Sequence, residues 1–304
     1  MLYNVKSKYI LESLFSTLNE IHKLYIIKYN NKLKNILGID LNYYKNKSGK
    51  YKIEQENGLV EEYMLNSKVL VFKGYYLNGR RHGLGKEYYV NRKLKFFGEF
   101  KCGRRNGHGR EYDFLGGLKF EGEYKNNKRN GKGNEYHYNG KIEFEGEFLD
   151  GHKNGLGKSF YDSGQLKFKG NYIIGEKNGK GEEYYDFGQI KFKGDFLHDK
   201  KWNGYGYDPT GNIRYIIKCG DGMIKEFYNS GILKLEGEYT NGEISGLVKE
   251  YFMNGELQFD GKYSKGKRNG IGKEYNIEKK LIYEGEYLEG EPKQNEIDEN
   301  CIHQ

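Results

Sequence analysis

The chain has two prolines, three cysteines and one tryptophan in 304 residues. It also lacks any run of about 18 apolar residues, which excludes a membrane-spanning helix. The opening stretch from Met1 to Phe15 is partly apolar, but Lys6, Lys8 and Glu12 interrupt it. No small-residue cleavage site follows, so it does not read as a secretion signal. Cys102, Cys219 and Cys301 are odd in number and far apart. They outline neither a disulfide framework nor a zinc site, and a reducing, cytoplasmic compartment is expected. The hydrophobic fraction is 36%, below the roughly 45–50% of an ordinary globular domain. That shortfall excludes a compact enzyme built round one large aliphatic core. Lys and Arg number 51 against 43 Asp and Glu, a net charge of +8. The excess is modest and interspersed with Glu, so no nucleic-acid partner is expected. What the chain has instead is 30 Tyr, 17 Phe and 44 Gly. Aromatics are depleted in disordered chains, so this composition argues for a folded protein whose core is made of rings.

The rings and glycines recur in register. Phe120-Glu-Gly122-Glu-Tyr124 returns as Phe72-Lys-Gly74-Tyr-Tyr76, Phe96-Phe-Gly98-Glu-Phe100, Phe144-Glu-Gly146-Glu-Phe148, Phe168-Lys-Gly170-Asn-Tyr172 and Phe192-Lys-Gly194-Asp-Phe196. The central glycines, 74 to 194, step by 24 and resume at Gly237, Gly261 and Gly285. A second motif, Gly107-His-Gly109-Arg-Glu-Tyr112, has counterparts at Gly83, Gly131, Gly155, Gly179, Gly204, Gly246 and Gly270. The step from 194 to 237 is 43 instead of 48. Aligning Gly211–Ile217 with Gly140–Gly146 puts Ile217 in the glycine slot, so one degenerate unit lies near 211–230, beside Pro209 and Trp202.

Within a unit the pattern alternates with period two. Leu118, Phe120, Gly122 and Tyr124 face one way, and Lys119, Glu121, Glu123 and Lys125 the other, as in a half-buried strand. The polar stretch Asn126–Gly131 ends in Asn-Gly and predicts a turn, with a return strand from about Lys132 to Tyr138. Asn139-Gly140 then turns into the next unit. A strand-interior glycine permits a bend or a close approach. Each repeat is therefore a β-hairpin. A lone hairpin is marginal in water, but stacked hairpins bury each other's rings. The expected fold is mainly β: an elongated solenoid of about ten stacked antiparallel hairpins over residues 46–290, preceded by a short helical segment.

The unit Tyr/Phe-x-Gly-Glu-Tyr/Phe-x-Asn-Gly-Lys-Arg-Asn-Gly-x-Gly-x-x-x-Tyr resembles the MORN (membrane occupation and recognition nexus) repeat over roughly residues 49–290. The usual Trp after Gly-Glu is Tyr or Phe here, the period is 24 where the common form has 23, and Asn often replaces His in the turn. Copies with Lys-Glu-Tyr-Tyr and Asn/Ser-Gly-x-Leu resemble a second subtype. The resemblance implies an all-β, curved array with an aromatic-lined groove. It also implies a scaffold for partner proteins or a membrane surface, peripheral at a membrane or cytoskeletal structure.

Residues 1–45 differ. Ile10, Leu11, Leu14, Leu18, Ile21, Leu24 and Ile27 recur at three- and four-residue steps, extended by Leu33, Ile36 and Leu37. Two or three short helices are expected, with breaks near Asn19 and Asn30-Asn31. They read as a cap over the open end of the array or as a docking module. The stretch Tyr9–Asn19, followed by Lys23–Tyr29, resembles the core of an F-box, without its leading Leu-Pro or Trp-containing end. That would make Leu14, Phe15 and Leu18 a docking surface for a ubiquitin-ligase adaptor. Residues 291–304 read as a polar, disordered tail.

Chemistry is sparse. The histidines form no short-spaced metal pair. Glu beside the glycines (Glu99, Glu123, Glu147, Glu238, Glu286) recurs identically, whereas acid–base catalysis needs carboxylates in distinct environments. Gly-x-Gly pairs precede strands, and no Gly-Lys-Ser/Thr follows, so they form no nucleotide loop. No catalytic residue, metal or cofactor is expected. The period gathers Arg80, Arg81, Arg104, Arg105, Lys128, Arg129, Lys153, Lys177, Lys267 and Arg268 along one edge, a basic stripe suited to anionic lipid or an acidic protein surface. Tyr76, Phe100, Tyr124, Phe148, Tyr172, Phe196, Tyr239 and Tyr263 are the expected aromatic groove or core. The sequence thus reads as a non-catalytic scaffold or adaptor. A ubiquitin-ligase substrate adaptor and a glycan-binding module using the rings are the alternatives.

Overall fold

Rings on every second residue require strands, and the computed structural model, which describes residues 8–18, 31–37 and 49–293, shows them. The chain divides into two units. One is built from residues up to Arg104 together with Tyr112–Gly116, and the other from Arg105–Glu111 and the chain from Gly117 onward.

The first unit holds helices α1 (Lys8–Ser16) and α2 (Asn31–Leu37), which meet through buried Leu11 and Leu33. Leu14 is exposed, while Phe15 and Leu18 are half-buried. The helical pattern expected over 19–30 and the tail at 294–304 lie outside the described residues. Five antiparallel strands follow in chain order: β1 (Lys50–Glu54), β2 (Val60–Met64), β3 (Leu70–Leu77), β4 (Arg80–Tyr88) and β5 (Leu94–Lys101).

β6 (Arg104–Tyr112) contributes residues 105–111 to the second unit. There, each strand neighbours the next in chain order: β7 (Leu118–Lys125), β8 (Lys128–Tyr136), β9 (Ile142–Leu149), β10 (His152–Phe160), β11 (Leu166–Ile173), β12 (Glu176–Tyr184), β13 (Ile190–Leu197), β14 (Lys200–Tyr207) and β15 (Ile213–Ile217). A separate sheet then runs through β16 (Gly222–Phe227), β17 (Leu233–Thr240), β18 (Glu243–Tyr251), β19 (Leu257–Ser264), β20 (Lys267–Tyr275), β21 (Leu281–Leu288) and β22 (Glu291–Pro292).

The turn within each hairpin lies earlier than the sequence suggests. Asn126 and Asn127 both have positive φ, at 52° and 72°, the geometry of a two-residue type I′ turn. The return strand therefore starts at Lys128, not Lys132. Asn130-Gly131 marks a bulge instead. Gly122 pairs with Gly133 and Tyr124 with Arg129, so the register shifts between them, and Gly131 takes a φ of 103° there. The second turn falls where expected, with Gly140 N donating to His137 O at 2.9 Å.

Successive hairpins are stitched along both edges. On the tight-turn side Gly151 N donates to Arg129 O and Gly175 N to Lys153 O. On the other side the Tyr161 hydroxyl donates to Tyr184 O at 2.7 Å and the Tyr185 hydroxyl to Tyr207 O at 2.9 Å.

Phe120, Phe144, Phe168 and Phe192 are fully buried. Each ring meets a ring four residues on and one in the next repeat, edge to face. Phe120 lies 5.5 Å from Tyr124 and 5.1 Å from Phe148, and Phe168 lies 5.3 Å from Tyr172 and 5.1 Å from Phe196. Such pairs contribute about 0.5–1.5 kcal/mol beyond area burial. The rings rest on paired glycines. A Cβ on Gly170 would lie 2.6 Å from Phe168 Cζ and 2.7 Å from Gly181 Cα. The strand glycine is thus a seat for a ring more than a bend.

The degenerate unit behaves as aligned, with Ile217 opposite Gly204 and buried. Ile217 and Ile224 occupy positions that glycines hold elsewhere, and two such side chains cannot take the glycine approach. The ladder stops at a single Lys218–Asp221 bridge, and the sheet divides between β15 and β16.

Candidate functional site

Starting the return strand at Lys128 changes the expected basic edge, because neighbouring strand residues face opposite ways. Arg80, Arg104, Lys128 and Lys267 point outward. Lys128 lies 3.8 Å from Asp150, and Lys267 lies 2.9 Å from Glu289. His152 and Glu176 take the equivalent places in between, so the edge is mixed in charge. Arg81, Arg105, Arg129, Lys153, Lys177 and Arg268 are only half-exposed and turn over the rings. Arg81 sits 4.2 Å above Phe72, Arg129 4.3 Å above Phe120, Lys153 4.6 Å above Phe144, Lys177 4.7 Å above Phe168 and Arg268 4.2 Å above Phe259. Arg105 lies 5.9 Å from the centre of the Tyr124 ring.

These cations alternate with carboxylates. In the first unit Arg81 bridges Glu62 at 3.0 Å and Glu87 at 2.6 Å. In the second, Arg129 bridges Glu111 and Glu135, and Arg268 bridges Glu250 and Glu274. The rings are therefore roofed by an ionic ladder. Phe100, Tyr124, Phe148, Tyr172 and Phe196 are buried beneath it as core, and Tyr76, Tyr239 and Tyr263 are half-buried. The expected aromatic groove is not open, and a glycan-binding reading loses the ring faces it needs.

The ladder predicts an acid limb. Burial alone would raise the Glu183 carboxyl, but the ammonium groups of Lys201 and Lys177 outweigh it and hold it at about 2. Glu62 also falls to about 2, its burial outweighed by the Tyr76 hydroxyl and the Arg81 guanidinium. A depressed carboxylate stabilises the fold above its unfolded value and loses that contribution as pH falls through the folded one. Thermal melts should therefore drop between pH 5 and pH 2, on the order of 3 kcal/mol for Glu183. Glu183→Gln should be less stable at pH 7 and should lose less over that range.

The face opposite the rings is open. Six glycines from consecutive strands, Gly133, Gly146, Gly157, Gly170, Gly181 and Gly194, floor a groove of about 810 Å³ in the second unit. Leu156, 69% exposed, stands in it. Lys158 pairs with Glu145 at 3.6 Å and Lys193 with Glu182 at 3.0 Å, while Lys132, Lys169 and Lys180 have no salt bridge among the described residues. Sequence reasoning placed the glycines on the ring face. That their bare backbone also floors the reverse face follows only once both members of each pair are aligned.

No group of three His, Cys, Asp or Glu among the described residues could hold a metal ion, and no described helix is long and apolar enough to cross a membrane. The MORN repeat matches residues 72–92, 96–113, 120–142 and 259–276, and the MORN repeat variant matches 153–173, 177–198 and 221–241. No curated protein matches. Among solved structures, a variant of S. aureus TarM in complex with Fondaparinux, alpha-GlcNAc-glycerol and UDP is 10% identical, with 60% of this chain and 32% of that chain covered and a TM-score of 0.20. A structure of TcdB2-TccC3-TEV is 9% identical, with 79% and 15% covered and a TM-score of 0.14. The chain thus spans about a third of the length of TarM, and likenesses this distant bear on neither fold nor activity. Nothing supports the F-box likeness of the amino-terminal segment. The hairpins, their glycine-seated rings and both forms of the repeat place the chain in one family: it is a MORN-repeat protein.

Proposed function

We propose that the chain is a non-catalytic scaffold that holds an extended, acidic segment of a partner protein along the glycine-floored groove of its second unit. One observation carries this reading. Over six strands the floor is bare backbone, so a chain can approach closely, and the walls offer Leu156 as an apolar contact and Lys132, Lys169 and Lys180 without salt bridges. Charge complementarity of this kind sets register and on-rate. The ring face offers no comparable surface, because the ionic ladder closes it. The family is a repeat family without catalytic residues of its own, and it serves as an interaction scaffold for proteins or membranes. The helices α1 and α2 suit a cap, with Leu14, Phe15 and Leu18 as its outward side.

Affinity capture with the intact chain should return a protein whose binding falls at least about tenfold in Leu156→Asp and in a Lys169→Glu, Lys180→Glu pair. Arg80→Ser with Arg104→Ser should leave it unchanged. Capture that survives the groove variants overturns the groove. Binding to anionic vesicles that depends on Arg80 and Arg104, with no protein captured, overturns the reading in favour of a membrane surface.

A further inference from the structure

The ionic ladder of the second unit has one missing rung. Where it is complete, a carboxylate sits between two cations, one on each oxygen. Glu135 holds Arg129 on Oε1 at 2.5 Å and Lys153 on Oε2 at 3.0 Å. Glu183 holds Lys177 on Oε1 at 2.7 Å and Lys201 on Oε2 at 3.8 Å. The residue midway between them is Ser159. Its backbone is placed like theirs, since Ser159 faces Phe168 as Glu135 faces Phe144 and Glu183 faces Phe192. Lys153 and Lys177 therefore flank a position that lacks its carboxylate, and each pairs with only one acid, on its far side.

The hydroxyl that would meet that carboxylate is still there. Tyr124 donates to Glu111 at 3.1 Å and Tyr287 to Glu274 at 3.0 Å, each thirteen residues on. Tyr172 stands thirteen residues after Ser159, buried, with the Ser159 side chain as its hydrogen-bond partner. The rings of Phe144 and Phe168 hold the two ammonium groups from below, at 4.6 and 4.7 Å. Lys153 and Lys177 keep 24% and 19% of their side-chain surface exposed, so the position opens to solvent.

We infer that Lys153 Nζ, Lys177 Nζ, Ser159 Oγ and the Tyr172 hydroxyl form a binding site for one small oxyanion of the phosphate type, seated where neighbouring repeats carry a glutamate carboxylate. Serine in place of glutamate removes a methylene and a carboxylate and leaves room for a group of that size. A phosphate oxygen accepts from each ammonium as the glutamate oxygens do elsewhere, and such charge-assisted bonds are the strong ones. The bound anion completes the alternation of charge from Glu135 to Glu183.

The test uses the full chain with inorganic phosphate as probe, by titration calorimetry and by thermal melts in phosphate and chloride at equal ionic strength. Phosphate strengthens burial in proteins generally, so Ser159→Glu is the reference. The wild type should melt higher in phosphate by more than the variant does. Ser159→Glu should melt higher than the wild type in chloride and bind phosphate at least about tenfold more weakly. Lys177→Met should lose the excess response as well, and it decides the matter where Ser159→Glu fails to fold. An equal phosphate response in wild type and Lys177→Met, or no response beyond that of Ser159→Glu, overturns the site. Vesicles containing phosphatidic acid separate the two sources of the anion. Pelleting that free phosphate competes away assigns a lipid headgroup, and phosphate binding without pelleting assigns a soluble ion.

Discussion

Phe168→Ala is expected to cost about 3–5 kcal/mol, the range for truncating a buried aromatic ring. Phe168 is fully buried, meets Tyr172 and Phe196 edge to face, rests on Gly170 and Gly181, and lies under the Lys177 ammonium. Truncation empties that seat and removes the ring that joins two hairpins. In a stacked array, stability is close to a sum of unit and neighbour terms. The loss should therefore be local as well as large. Urea unfolding should acquire an early phase, and hydrogen exchange should quicken in β10 to β13 while β18 to β20 keep their protection. A uniform loss of protection through β20 would contradict the nearest-neighbour picture.

Gly181→Val should cost about 1–3 kcal/mol, as overpacked cores do. A Cβ at Gly181 would lie 2.5 Å from Phe168 Cζ and 3.2 Å from Phe196 Cδ2. The chain already holds the compensating change. Val248 faces Gly237 as Gly181 faces Gly170, and in that repeat Leu235 stands in the place of Phe168. Phe168→Leu should therefore recover part of the stability lost to Gly181→Val. A double-mutant cycle should give an interaction of roughly 0.5–3 kcal/mol, the span for residues in contact. Strict additivity would show that the ring and the glycine do not share one space.

The strands were legible because ring and glycine alternate with period two, and the hairpins because the alternation restarts every 24 residues. The degenerate unit was legible from the 43-residue step alone, and the structure divides its sheet there. The turn position was missed because Asn-Gly carries two meanings. A positive φ serves a tight turn and a bulge alike, and Asn130-Gly131 marks the bulge. From that one slip the cations were misplaced: read as turn residues, Lys128 and Arg129 share an edge, but read as strand residues they face opposite ways. The glycine-floored groove was hidden for a different reason. A glycine has no side chain to assign to a face, so its use on both sides emerges only from the pairing of Gly146 with Gly157 and Gly170 with Gly181. The gap at Ser159 stands in the sequence, as the one break in the column Glu87, Glu111, Glu135, Glu183. It has meaning only beside the cations that the column neutralises.

The even repeat length limits how such a chain can lengthen or shorten in descent. Gain or loss of 24 residues returns every ring to its own side of the sheet, whereas an odd insertion inside a strand turns each later ring outward. Gene duplications that copy whole hairpins would pass unnoticed by their neighbours. The single odd-sized step, 43 residues from Gly194 to Gly237, falls at the seam between β15 and β16, where a change of phase disturbs no continuous ladder.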